Sequence, residues 1–221
     1  MLKCVACVTM LLDHIGAVFV PGYTLRIIGR ISFPLFCFLL AEGAARTRSP
    51  GRYALRLGLS AVLSELPFDL IFYGGFTWQH QSVMVTLLIG LVTVRSMGKL
   101  GKYQLVPLAV GCMLAELLHT DYGGFGVALI GLFALAANHP HPHLIRVLGT
   151  AAVFWLMNSV RIPVLGVGIP IQLFGLLALI PIRLYSGRKA TASRAVQWGF
   201  YLFYPVHLLM LLLIEKLMVL Y

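Results

Sequence analysis

Apolar residues fall along this chain in nine long runs separated by short polar or Gly/Pro breaks, at 2–20, 25–45, 54–73, 83–97, 104–119, 122–138, 144–159, 167–184 and 197–219. Most are long enough to cross a hydrocarbon core of about 30 Å as a helix. None alternates polar with apolar positions, as the strands of a membrane barrel do. Lipid offers no water to unpaired backbone groups, so runs of this kind predict helices that satisfy their own hydrogen bonds. The breaks carry turn residues: Pro21-Gly22, Ser49-Pro50-Gly51, Gly74-Gly75, Gly123-Gly124 and Gly166 to Pro170. The pattern predicts an all-α polytopic transmembrane bundle of about nine spans, with residues 1–221 forming one integral membrane domain.

Composition agrees. The 221 residues are 60% hydrophobic and 11% charged, against about 25% charged in soluble domains, and the mean hydropathy is +0.92. A net charge of +10 would suit a nucleic-acid binder, but no basic run with interleaved aromatics is present. The charge sorts by loop instead. With the N-terminus in the cytoplasm, thirteen Lys and Arg residues (Lys3, Arg46, Arg48, Arg52, Arg56, Arg95, Lys99, Lys102, Arg146, Arg183, Arg188, Lys189 and Arg194) fall on that side, and four (Arg26, Arg30, Arg161 and Lys216) on the other. That asymmetry predicts a cytoplasmic N-terminus and an external C-terminus. The first run holds Asp13 and His14 and is followed by no small-residue cleavage site, so it reads as a retained helix. Cys4, Cys7, Cys37 and Cys112 sit inside apolar runs as small filler, and His139-Pro140-His141-Pro142-His143 reads as a solvated connector. No metal is expected.

Ionisable residues inside membrane segments are costly, and a converging set marks a site. Asp13, His14, Arg26, Arg30, Asp69, Glu116, His119, Asp121 and Arg161 fall in the outer third of the predicted bundle, with Glu65 and His207 deeper. Lys3 and His14 are eleven residues apart, about three helical turns, which puts a cation and an imidazole on one face about 16 Å apart. His14 is a candidate general base. Asp13 points about 100° away from it, so the group that orients His14 must come from another helix, and Glu65 and Asp69, one turn apart, are candidates. Arg26 and Arg30 also stack one turn apart and can pair with these carboxylates or hold an anionic group. On the inner side Arg46, Arg48, Arg52 and Arg56 bracket a loop beside Glu42 and Thr47. They satisfy the orientation rule, or form a phosphate-binding mouth for a ligand with a phosphorylated head and a long thin arm, the shape of coenzyme A.

Several stretches resemble the TraX family: Met10-Leu11-Leu12-Asp13-His14-Ile15-Gly16, Gly29-Arg30-Ile31-Ser32-Phe33-Pro34-Leu35-Phe36, Ala41-Glu42-Gly43 with Thr47-Arg48, Leu63-Ser64-Glu65-Leu66-Pro67-Phe68-Asp69-Leu70, Asp121-Tyr122-Gly123 and Phe203-Tyr204-Pro205-Val206-His207-Leu208. That family is named for a membrane enzyme that acetylates the N-terminal amine of conjugative pilin. It is similar to transmembrane acyltransferases such as heparan-alpha-glucosaminide acetyltransferase, which pass an acyl group from cytoplasmic acyl-CoA across the membrane. The resemblance implies an acetyl-CoA dependent acetyltransferase of a bacterial inner membrane, acting on a protein or glycan acceptor at the outer face. It implies that His14 is catalytic, with Glu65, Asp69, Arg30, Asp13 and His207 around it. Lys3, Glu42, Arg46, Arg48, Arg52 and Arg56 would serve the coenzyme, and Arg26, Asp121 and Tyr204 the acceptor side. Two other readings stand beside it: a small-solute or proton-coupled transporter using Glu65, Asp69 and His207 as a relay, and a non-catalytic membrane assembly subunit.

Overall fold

The computed structural model describes residues 1–164, 166–187 and 193–220. The bundle consists of α1 (Leu2–Val18), α2 (Thr24–Gly29), α3 (Ser32–Arg46), α4 (Pro50–Phe72), α5 (Val83–Leu100), α6 (Leu105–Leu117), α7 (Gly123–Ala136), α8 (Pro142–Leu156), α9 (Leu179–Arg183) and α10 (Arg194–Leu220). The chain is an α-helical membrane protein. Among the described residues, three helical stretches, Thr24–Arg46, Val83–Tyr103 and Ala195–Met218, are long and apolar enough to cross a bilayer by length and composition.

The chain departs from simple helical spans in two places. The run 25–45 is two helices, because Pro34 has no N–H to give the Arg30 carbonyl one turn earlier. The chain tightens there, with the Ile31 N–H bonding Ile28 O at 3.2 Å. The expected all-α architecture holds apart from one short element at the break before residue 171, where β1 (Arg161–Val164) and β2 (Val167–Pro170) form an antiparallel hairpin, with Arg161 opposite Pro170 and Val164 opposite Val167. Pro163 and Pro170 exclude helix there, while Ile162, Val164, Val167 and Ile169 suit strands. Helix resumes only at Ile171, as a 3-10 stretch to Ala178 leading into α9.

Two packed halves share α3. In one, α7 lies at the centre against α3, α5, α6 and α8, and its Val127, Leu129, Ile130 and Phe133 are almost wholly buried. Its neighbours approach closely because small residues face large ones: a β-carbon on Gly90 or Gly131 would overlap Ile130 or Leu108. Lipid supplies no hydrophobic drive between helices, so this close van der Waals fit holds the half together. In the other half α1 packs on α2, α3 and α10, and α10 on α4. Pro205 leaves the Tyr201 carbonyl without its helical donor, and the Ser60 hydroxyl of α4 donates to it at 2.7 Å. That bond fixes the two helices that carry much of the site.

The basic residues gather at one end of the bundle. Arg46 donates to Gly187 O at 2.6 Å, Arg95 to Ala44 O at 2.9 Å, and Arg56 to Gln197 Oε1 at 3.3 Å. Arg188 and Lys189, counted in the charge asymmetry, lie outside the described residues.

Candidate functional site

The α1–α3–α4–α10 half encloses a cavity of about 720 Å³. Along α4 its lining runs from Tyr53 and Leu57 through Phe68 and Phe72 to Tyr73. At 1.5 Å per residue these ends are about 30 Å apart, close to the thickness of a hydrocarbon core. The cavity therefore reaches from the basic end, where Tyr53, Phe200 and Tyr201 line it, to the opposite end, where Tyr23, Arg26, Asp121 and Tyr122 do.

His14 lines this cavity between those ends. Aromatic rings hold it: Phe72 and Tyr204 meet it edge-on, with centroids at 5.5 and 5.9 Å. The ring of His207, from α10, lies nearly parallel, at 6° and 4.9 Å. His14 Nδ1 is 2.7 Å from His207 Nε2, and His207 Nδ1 is 2.7 Å from the Phe203 carbonyl oxygen. Two nitrogens bound to one tetrahedral zinc would stand about 3.3 Å apart, so the shorter distance marks a hydrogen bond between the rings. His207 itself is buried, at 4% exposure.

Asp13, on the neighbouring face of α1, turns toward α2. Its carboxylate forms a short ion pair with the Arg30 guanidinium and stands 3.6 Å from Arg26. Gly29 makes room for it, since a β-carbon there would overlap the Asp13 side chain. Arg30 is buried and also donates to Arg26 O at 3.2 Å and to the Tyr122 hydroxyl at 3.5 Å. Arg30 is thus charge-paired, with Tyr122 and the cavity on its other side.

Glu65 and Asp69, the sequence candidates for orienting His14, hold a loop instead. Glu65 accepts the Ser82 N–H at 3.1 Å and the Ser82 hydroxyl at 2.6 Å, which caps the start of α5. Asp69 accepts the Thr77 N–H at 3.0 Å. The loop they hold pairs in turn with the α6–α7 connection: the Gln81 N–H bonds His119 O at 3.1 Å and the Asp121 N–H bonds Gln81 O at 2.8 Å. Thr86 adds a short bond to Asp121 O, and Glu116 accepts the Gly124 N–H at 2.8 Å. This brace puts Asp121 and Tyr122 at the cavity, with Tyr122 in the left-handed region at φ +66° and stacked on Phe33. Strained backbone of this sort survives where its surroundings fix it. Asp121 is accessible from the cavity but surrounded by protein. That enclosure pushes its carboxyl up to about 6, with the Arg30 charge opposing the shift.

At the basic end, Lys3 Nζ sits 5.2 Å over the Phe200 ring and the Arg56 guanidinium 5.4 Å over the Tyr201 ring. Both rings line the cavity, so these two cations stand at its basic end. Arg46 is engaged by Glu42 at 2.8 Å and by Gly187 O. Arg48 and Arg52 are exposed. Of the aromatic lining, Tyr53 and Tyr122 belong to stretches that resemble the family but carry no role from sequence, and Tyr73, Phe200 and Tyr201 stand outside those stretches. For Tyr201 a signal existed, because tyrosines in membrane helices favour the interfaces and this one lies beside Tyr204 within the last run.

The chain matches the family described as TraX protein over residues 1–215. It is similar to a protein of Dichelobacter nodosus described as a probable fimbrial assembly protein FimC, serogroup H1, at 27% identity over 237 residues, covering 95% of this chain and 92% of that protein. No solved structure matches the chain.

Proposed function

The chain belongs to the TraX family, and from that premise we propose that it is a multi-pass inner-membrane acetyltransferase. It moves an acetyl group from cytoplasmic acetyl-CoA to an amine or hydroxyl acceptor at the outer face. In this reading the nine runs cross the bilayer with the N-terminus inside and the C-terminus outside, and the basic end faces the cytoplasm. The observation that carries it is the position of His14: an imidazole that lines a cavity reaching both ends of the bundle.

Lys3 and Arg56 receive the phosphates of the coenzyme, beside Phe200 and Tyr201, and the aromatic walls guide its thin arm inward. His14 takes the proton of the acceptor nucleophile as that atom attacks the thioester carbonyl. The carbon–sulfur bond breaks, the acetyl group forms an amide or ester with the acceptor, and the proton passes to the departing thiolate. Arg30 and the Tyr122 hydroxyl lie on the outer side, where they stabilise the oxyanion that develops. Asp121, with its carboxylate open to the cavity, receives an acceptor ammonium. The fimbrial assembly name of the Dichelobacter nodosus relative favours a protein acceptor of the fimbrial or pilin kind over a glycan.

The test is transfer of labelled acetyl from acetyl-CoA by the purified protein in lipid nanodiscs. His14→Ala lowers transfer by at least about 10²-fold while the protein stays folded in the nanodiscs. Full activity in that variant removes His14 from the mechanism.

A further inference from the structure

The hydrogen bonds around His14 fix which of its nitrogens carries a proton. A carbonyl oxygen only accepts. The 2.7 Å contact between His207 Nδ1 and Phe203 O therefore places a hydrogen on His207 Nδ1. In the neutral ring Nε2 is then a bare acceptor. The atom 2.7 Å from it is His14 Nδ1, which must in turn donate. The remaining nitrogen of His14, Nε2, keeps its lone pair. Of the two rings His14 lines the cavity and His207 does not.

We infer that His207 is a positioning residue, which, anchored on the Phe203 carbonyl, holds His14 in the Nδ1–H tautomer with Nε2 free to take a proton. This deepens the acetyltransferase reading and rests on it for its catalytic meaning, while the tautomer itself is a property of the resting protein. The arrangement follows the logic of a hydrolase triad, in which a buried partner holds a histidine's Nδ1–H and leaves Nε2 to the substrate. A second imidazole here replaces the carboxylate. That exchange suits the surroundings, since a neutral partner adds no buried charge in the apolar layer between Phe72, Phe203 and Tyr204. The rings lie nearly parallel, which keeps the two nitrogens in line, and the α4–α10 bond at Ser60 anchors the helix that carries His207.

Sequence order hides the pair, because 193 residues separate its members. A ring with Nδ1 on a backbone carbonyl and Nε2 on another imidazole has no donor left for substrate.

The experiment is 15N NMR of histidine-labelled protein in nanodiscs, on wild type, His207→Leu and His207→Gln, with acetyl transfer measured on the same samples. Wild type shows His14 with a protonated Nδ1, an unprotonated Nε2 and a coupling across the bond to His207 Nε2. His207→Leu removes the acceptor, the His14 tautomer becomes mixed, and turnover falls at least about 10²-fold with little change in KM for acetyl-CoA. Glutamine sets an amide oxygen near the lost Nε2, so His207→Gln keeps the tautomer and most of the turnover. A wild-type His14 protonated at Nε2, or a tautomer unmoved in His207→Leu, overturns the inference, as does a His207→Gln variant that keeps the tautomer but loses turnover. If wild type and all variants lack transfer while the tautomer responds as stated, the positioning role stands and the acetyltransferase reading falls.

Discussion

Asp13 and His14 are adjacent in sequence yet serve separate structures, one an ion pair with α2 and the other a hydrogen bond with α10. The helical turn between them makes this possible. The Asp13–Arg30 pair lies in low dielectric, so removing one partner strands the other charge. Asp13→Asn is therefore expected to destabilise the fold by about 3–5 kcal/mol, seen as a lower unfolding temperature in nanodiscs. Asp13→Leu combined with Arg30→Met should recover most of that loss, because no unpaired charge remains. A double variant as unstable as the single one would show that the pair is not the source. The cost of charge in lipid made these residues legible in the sequence as a set. Their pairing was not legible. Glu65 and Asp69 were candidates for orienting His14 because they share a helix face, and they do share one, but it faces the loop at Thr77 and Ser82.

The helices themselves were visible as apolar runs, since lipid dictates them. What the runs concealed was their interruption. The run 25–45 stays apolar on both sides of Arg30, and the absent N–H of Pro34 divides α2 from α3. The alternation in Ile162, Val164, Val167 and Ile169 was masked by prolines that read as loop. The start of α5 shows how an element reaches a distant site, as Glu65 caps Ser82, Gln81 pairs with Thr120, and that connection carries Asp121 and Tyr122. Glu65→Ala should remove the cap, cost about 1–2 kcal/mol, and raise hydrogen exchange both at residues 80–86 and at residues 119–122. Faster exchange confined to the first segment would separate the brace from the cap.

Taken whole, the molecule is divided by charge and joined by a cavity. One end gathers Lys3, Arg46, Arg56 and Arg95, while the other holds the Asp13–Arg30 pair and Asp121, and aromatic rings line the passage between them. The charge division was legible because it follows loop by loop from the sequence. The passage was not, because it depends on how α1, α4 and α10 stand against one another. In the proposed mechanism donor and acceptor reach His14 from opposite ends. Its most direct test uses sealed proteoliposomes of known orientation, with labelled acetyl-CoA and a pilin-type N-terminal peptide offered on the same or on opposite sides. Labelled product should form only when the coenzyme is on the side of Lys3 and Arg56 and the peptide is on the other. Equal transfer with both on one side, or transfer with the sides exchanged, would rule out approach to His14 from opposite ends.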